Sequence, residues 1–221
     1  MPTETPPHSR LGSGLYSIPD AARIVREPID RVRRWVNPEE QLIRRSLGSE
    51  ERTITFLELM ELHFISIFRS EGVTLQTIRK AAIAASRRFG TDYPFAVRRF
   101  DTDGRTIFAT LIKDEEDEEV VEDLRRGQYV FRQIMRPFFR RLEYRDANEA
   151  LRYWPLGTRG RVVLDPERHF GKPIDSETGI PTKTLYEAVK IGQDPPDVAK
   201  WFDVPRRAVV AAIRFESSLT A

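Results

Sequence analysis

The sequence predicts a mainly α-helical protein with small β elements. It is laid out as an N-terminal helix-turn-helix, a central hairpin with a long helix, and a C-terminal helical module that repeats the helix-turn-helix theme. Three observations predict this. Residues 15–80 hold two short helical patterns around a tight break, then a longer pair joined at Gly72. Residues 120–142 carry an aromatic stripe at helical spacing. Residues 194–215 repeat the pattern of helix, turn and helix. The expected units are a flexible arm at 1–14, a helix-turn-helix domain at 15–89, a central hairpin and helix at 90–155, and a C-terminal helical domain at 156–221.

In the first unit, Ser17 is placed to cap a short helix and Pro19 sits in the first turn, where a missing N–H costs nothing. Arg26-Glu27-Pro28 breaks that helix. The next starts at Pro28, with Ile29, Val32 and Val36 on one face and Arg31, Arg33 and Arg34 on the others. Arginines so displayed offer paired hydrogen bonds to guanine edges or to phosphates. Arg23 and Arg52 complete the candidate DNA-contacting set, and Trp35 is expected in the core. The alternative for these arginines is a solvated cationic face. Downstream, Gly72 ends one helix and Thr74 caps the next, a hairpin expected to pack on the N-terminal helices.

Residues 15–80 resemble the MerR-like winged helix-turn-helix family. Val32-Arg33-Arg34-Trp35 falls where that family carries its Leu-Arg-aromatic recognition-helix signature, and residues 47–55 fall in its wing. Phe68-Arg69-Ser70-Glu71-Gly72-Val73-Thr74-Leu75 matches its helix and Gly-hydrophobic-Ser/Thr-Leu turn, and Gln76-Thr77-Ile78-Arg79 opens the next helix. The resemblance implies a wing beside the two short helices and an operator DNA as partner.

Composition bounds the function. A hydrophobic content of 40% over 221 residues supports real cores. No uninterrupted apolar run is long enough to span a bilayer, and the polar, Pro-rich start has no apolar signal region, so a soluble, cytoplasmic protein with no membrane partner is expected. The absence of cysteine excludes disulfides, thiolate ligands and a thiol nucleophile. The net charge is only +2, so any nucleic-acid footprint must arise from local clustering. The three histidines, His8, His63 and His169, have no metal-ligand spacing, and no nucleophile elbow or nucleotide-binding glycine fingerprint is present. We therefore expect no enzyme activity and no cofactor. His63, beside Met60, Phe64 and Ile67, is expected to be a satisfied core histidine.

In the centre, residues 97–100 and 106–111 alternate around Asp101-Thr102-Asp103-Gly104, which predicts a hairpin. The acidic run at 114–119 is expected as the solvated N-terminus of a helix over 120–142, whose dipole favours negative charge there. Pro137 should bend that helix. Phe131, Ile134, Met135, Phe138, Phe139 and Leu142 are expected to form core, with a contribution to a homodimer face.

In the last unit, residues 161–167 read as a short strand into a turn, and helices are expected at 183–191, 194–202 and 205–216. Asp165-Pro166, Gly171-Lys172-Pro173 and Ile180-Pro181-Thr182 match the motifs of the small helical family known as domain of unknown function 433, and residues 161–215 resemble it. Together the two resemblances imply the antitoxin of a type II toxin-antitoxin pair whose toxin is a PIN-like ribonuclease encoded nearby. Such a toxin carries a carboxylate-lined metal site, to which Arg159, Arg161, Arg168 and Lys172, in a turn-rich passage, would present cations. The other readings are a stand-alone MerR-like transcriptional regulator and an interaction module that binds no DNA.

Overall fold

The computed structural model describes residues 14–40, 42–45, 53–145 and 149–219. The arm, Gly14 apart, and Arg52 with most of the expected wing lie outside them. Strand β1 (Leu15–Ser17) pairs antiparallel with β2 (Thr53–Thr55). Ser17 caps α1 (Ile18–Val25) by accepting from the Asp20 N–H, and Pro19 occupies its first turn, as the sequence predicts. Arg26 ends α1 in the left-handed region at φ 59°, where a side chain is disfavoured, and its N–H closes onto Ala22 and Arg23. Pro28 then opens α2 (Ile29–Trp35).

Helix α3 (Phe56–Ser70) begins with a reciprocal capping box between Thr55 and Glu58. Gly72, at φ 83°, turns the chain, and Thr74 caps α4 (Leu75–Phe89). Both follow the sequence reading.

The segment expected as a hairpin is instead helix α5 (Arg98–Lys113). Phe100, Ile107 and Phe108 are buried at helical, not alternating, spacing, with Leu111 partly covered on the same face. Gly104 is a packing glycine and not a turn residue: a Cβ there would lie 2.5 Å from the ring of Phe131. A small residue lets α5 approach that ring, and a local reading of Asp-Gly cannot foresee it. The central hairpin lies further on, between β3 (Leu142–Tyr144) and β4 (Ala150–Tyr153).

Asp117 caps α6 (Glu118–Val130) by accepting from the N–H groups of Glu119 and Val120, so the acidic run, which starts at the C-cap of α5, ends as a helix N-terminus. The helix does not continue to residue 142. It widens into a π turn (Phe131–Met135) and closes as the short α7 (Arg136–Phe139). Pro137, which lacks an N–H and crowds the preceding turn, sits two residues after the widened segment. Leu142 already belongs to β3.

Strands β3, β4, β5 (Val162–Leu164) and β6 (Pro173–Asp175) form one antiparallel sheet in that order. A single apolar core runs from Tyr16 to Leu164. At its centre Phe64 is ringed by Phe95, Phe100, Phe138 and Phe139, with centroids 4.7–6.1 Å apart. Each such ring contributes about 1.5–3 kcal/mol by burial. The aromatic stripe at 131–142 thus faces inward. A second, smaller core holds α8 (Thr182–Lys190), α9 (Pro195–Trp201) and α10 (Arg206–Ser218) around Leu185, Val198, Val209 and Ala212.

Candidate nucleic-acid and partner interface

Helix α2 is anchored from below and charged above. Val32 and Trp35 are fully buried, whereas Arg31, Arg33 and Arg34 are exposed. Ile29, expected on the buried face, is 40% exposed and lies at its margin. The three arginines differ in freedom. Arg31 reaches Glu27 at 2.7 Å, and Glu27 is itself held by the Ser66 hydroxyl at 2.8 Å. Arg33 pairs with the exposed Asp30 at 3.0 Å, a contact that surface screening makes weak. Arg34 has no ion pair among the described residues. A phosphate can therefore recruit Arg34 and Arg33 more cheaply than Arg31.

Arg23 points elsewhere. Its guanidinium donates to Glu216 of α10 at 2.7 Å, and Glu216, only 1% exposed, also accepts from the Thr182 hydroxyl. Beside it the Tyr16 hydroxyl donates to the Gly171 carbonyl at 2.7 Å. Gly171 stands at φ 81°, where a Cβ would meet that hydroxyl at 2.4 Å. Burial pushes the Tyr16 phenol far above its ordinary pKa, so it stays a donor. The N-terminal helix-turn-helix is thereby bonded to the C-terminal module, and Arg23 serves this seam.

We expect the Arg23–Glu216 pair to be coupled. Arg23→Ala leaves a buried carboxylate short of its cation and should cost roughly 2–4 kcal/mol. Arg23→Ala with Glu216→Gln should cost clearly less than the sum of the single changes in urea melts of the full chain. Additivity within about 0.5 kcal/mol would show that the seam does no energetic work.

The four cations expected in the passage between β4 and α8 also part company. Arg161, in the left-handed region at φ 65°, is buried and makes a paired bond to Asp175 at 2.8 and 2.9 Å, with Glu177 alongside. Burial alone would push the Asp175 carboxyl up, but its bonds to Arg161 and Thr178 hold it below the ordinary carboxylate range. Arg161 cannot reach outward. Arg168 is half-buried, donating to the Ser176 carbonyl at 2.9 Å. Only Arg159 and Lys172 are exposed and without an ion pair among the described residues. Phe170, which no motif singles out, is 62% exposed on a left-handed turn between His169 and Gly171. A lone phenylalanine reads as core, and backbone handedness is not written in the residue type. Trp201 is likewise 69% exposed at the end of α9. Of the second helix-turn-helix, Arg207 is engaged by Glu177 at 3.3 Å.

His63 is half-buried against Phe138, with ring centroids 4.6 Å apart, and its Nε2 meets the Tyr153 hydroxyl at 3.2 Å. Burial pushes its pKa down to about 3, assisted by the nearby Arg26 and Arg141, so it is a neutral core residue. Its Nδ1 has no partner among the described residues, so the expected satisfied histidine is only half satisfied there. Among the described residues no group of three or more His, Asp or Glu is placed to hold a metal ion, and no helix is long and apolar enough to cross a membrane.

Residues 162–215, from β5 to within α10, match the family described as "Protein of unknown function (DUF433)". The chain is 24% identical over 206 residues to the Mycobacterium tuberculosis (strain ATCC 25618 / H37Rv) protein named "Putative antitoxin VapB45", covering 83% of this chain and 85% of that one. The X-ray crystal structure of Rv2018 from Mycobacterium tuberculosis superposes with a TM-score of 0.74 at 19% identity, covering 93% of this chain and all of the other. The two chains share a fold. The likeness covers most of this chain and so extends well beyond the matched C-terminal block.

Proposed function

We propose that this chain is a DNA-binding antitoxin and transcriptional autorepressor that neutralises a PIN-like ribonuclease toxin encoded nearby. In this reading the N-terminal unit is MerR-like, α2 enters the major groove of the operator, and a homodimer in the cytoplasm reads two half-sites. Arg31, Arg33 and Arg34 take phosphates or guanine edges. The observation that carries the reading is the pairing of an anchored, arginine-faced α2 with a DUF433-type module in a chain similar over most of its length to a protein named as an antitoxin.

On the toxin side, Arg159 and Lys172 supply the cations free to meet an acidic metal site, with the half-buried Arg168 and the exposed Phe170 in the same passage of chain. Arg161 is assigned to holding this passage in shape. The test is co-expression of the full chain with the product of the adjacent short reading frame. Co-purification, rescue of growth and a shift of the upstream DNA are expected. A protein that shifts the DNA but neither binds nor neutralises that product would instead be a stand-alone regulator.

A further inference from the structure

A cavity of about 900 Å³ lies away from the α2 arginines, between the α3–α4 hairpin and the segment that follows α2. One wall is α4, through Arg79, Ile83 and Arg87. The facing wall includes Ile43 and Arg45, and Glu61 of α3 reaches it from the core.

Its polar groups are unevenly matched. Glu61 is 3% exposed, and its Oε1 accepts from the N–H groups of Phe95 at 2.7 Å and Ala96 at 2.9 Å. Its Oε2 has no partner among the described residues. Burial pushes the carboxyl up to about 8 against the pull of those two N–H groups, so near neutral pH it is mostly an acid whose O–H can donate. The other lining carboxylate, Asp92, is taken by Arg44. Arg45 is engaged by Glu58 and the Thr53 carbonyl.

Two cations remain under-used. Arg79 donates through Nη2 to the Glu40 carbonyl at 2.7 Å and lies 3.6 Å from the Glu40 carboxylate in a partly exposed pair, yet its buried Nε has no hydrogen-bond partner among the described residues. Arg87 is exposed and has no ion pair among the described residues. Buried unpaired donors are costly and call for an acceptor. Between them Ile83 is 47% exposed, a large apolar side chain beside positive charge.

We propose that this cavity binds a small amphipathic organic anion. Its carboxylate, phosphate or sulfonate head is taken by Arg79 and Arg87 with Glu61 donating, and its apolar body lies on Ile43, Ala82 and Ile83. The site needs neither the operator nor the toxin, so it stands or falls apart from the antitoxin reading. A mixed lining of apolar surface and a few convergent polar groups is what such ligands require, and a planar guanidinium suits the head group.

The probe is 1-anilinonaphthalene-8-sulfonate, titrated into the folded full chain and followed by fluorescence. Saturable one-to-one binding is expected, displaced by decanoate and far less by decanol, which has the same tail without the charge. Arg79→Ala with Arg87→Ala should weaken binding at least tenfold, while Arg125→Ala, a distant exposed control, should not. Because Arg79 also ties down Glu40, Arg87→Glu alone keeps the test decisive: it should weaken decanoate at least fivefold with an unchanged melting curve. Absence of saturable binding, displacement by decanol equal to that by decanoate, or full affinity in Arg87→Glu would each overturn the proposal.

Discussion

Replacing Arg31, Arg33 and Arg34 together with alanine is expected to lower affinity for the upstream DNA by at least a hundredfold while leaving the circular dichroism spectrum unchanged. The helix is held by Val32 and Trp35, both fully buried, so its fold does not depend on the arginines above them. A base-edge contact contributes about 1–3 kcal/mol of discrimination. Each lost phosphate contact should also flatten the slope of log affinity against log salt by about 0.9. Local pairing predicts the order of single effects. Arg34→Ala and Arg33→Ala should cost most, since Arg34 has no ion pair among the described residues and Arg33 only an exposed one. Arg31→Ala should cost least, because Arg31 is held by Glu27. Titration of the four proteins at several salt concentrations checks this, and a triple variant that binds as well as the parent removes α2 from the interface.

How much of this was legible in the residues depends on how far away their partners are. Caps and turns were legible because their causes are local. Ser17 and Thr74 bond to an N–H three residues on, and Gly72 turns where its own backbone must go positive. Helix α5 was not, because the Asp-Gly pair that signals a turn is overruled by Phe131, a partner that sequence alone does not bring near. The arginines show the same division. Residue type says that a guanidinium is present and not whether it is free. Arg34 projects as expected, but Arg23 is claimed by a glutamate 193 positions away. Glu61 carried no motif at all, and Arg79 closed a matched stretch that says nothing of a ligand, since what marks the two is a buried polar atom without a partner.

Arg161 offers the sharpest separation of structural from partner-contacting cations. Arg161→Ala is expected to destabilise the full chain by roughly 3–5 kcal/mol, because it strands the buried Asp175 without its cation. The backbone is no more strained in the variant, since alanine and arginine both place a Cβ at the same left-handed φ. Arg159→Ala and Lys172→Ala, at exposed positions, should each stay within about 0.5 kcal/mol of the parent. Acid melts carry the sign of the pair. A carboxyl held below its ordinary range stabilises fully above that range and loses its contribution as pH falls through the lowered value, so Asp175 should resist mild acid in the parent. In Arg161→Ala that resistance should weaken, and the acid transition should move to higher pH. Loss of toxin binding by Arg161→Ala would then trace to the fold of the β5–β6 region, whereas loss by Arg159→Ala or Lys172→Ala, with melting intact, would trace to contact. If instead Arg161→Ala melts like the parent, the buried Arg161–Asp175 pair does not hold the β5–β6 region in shape.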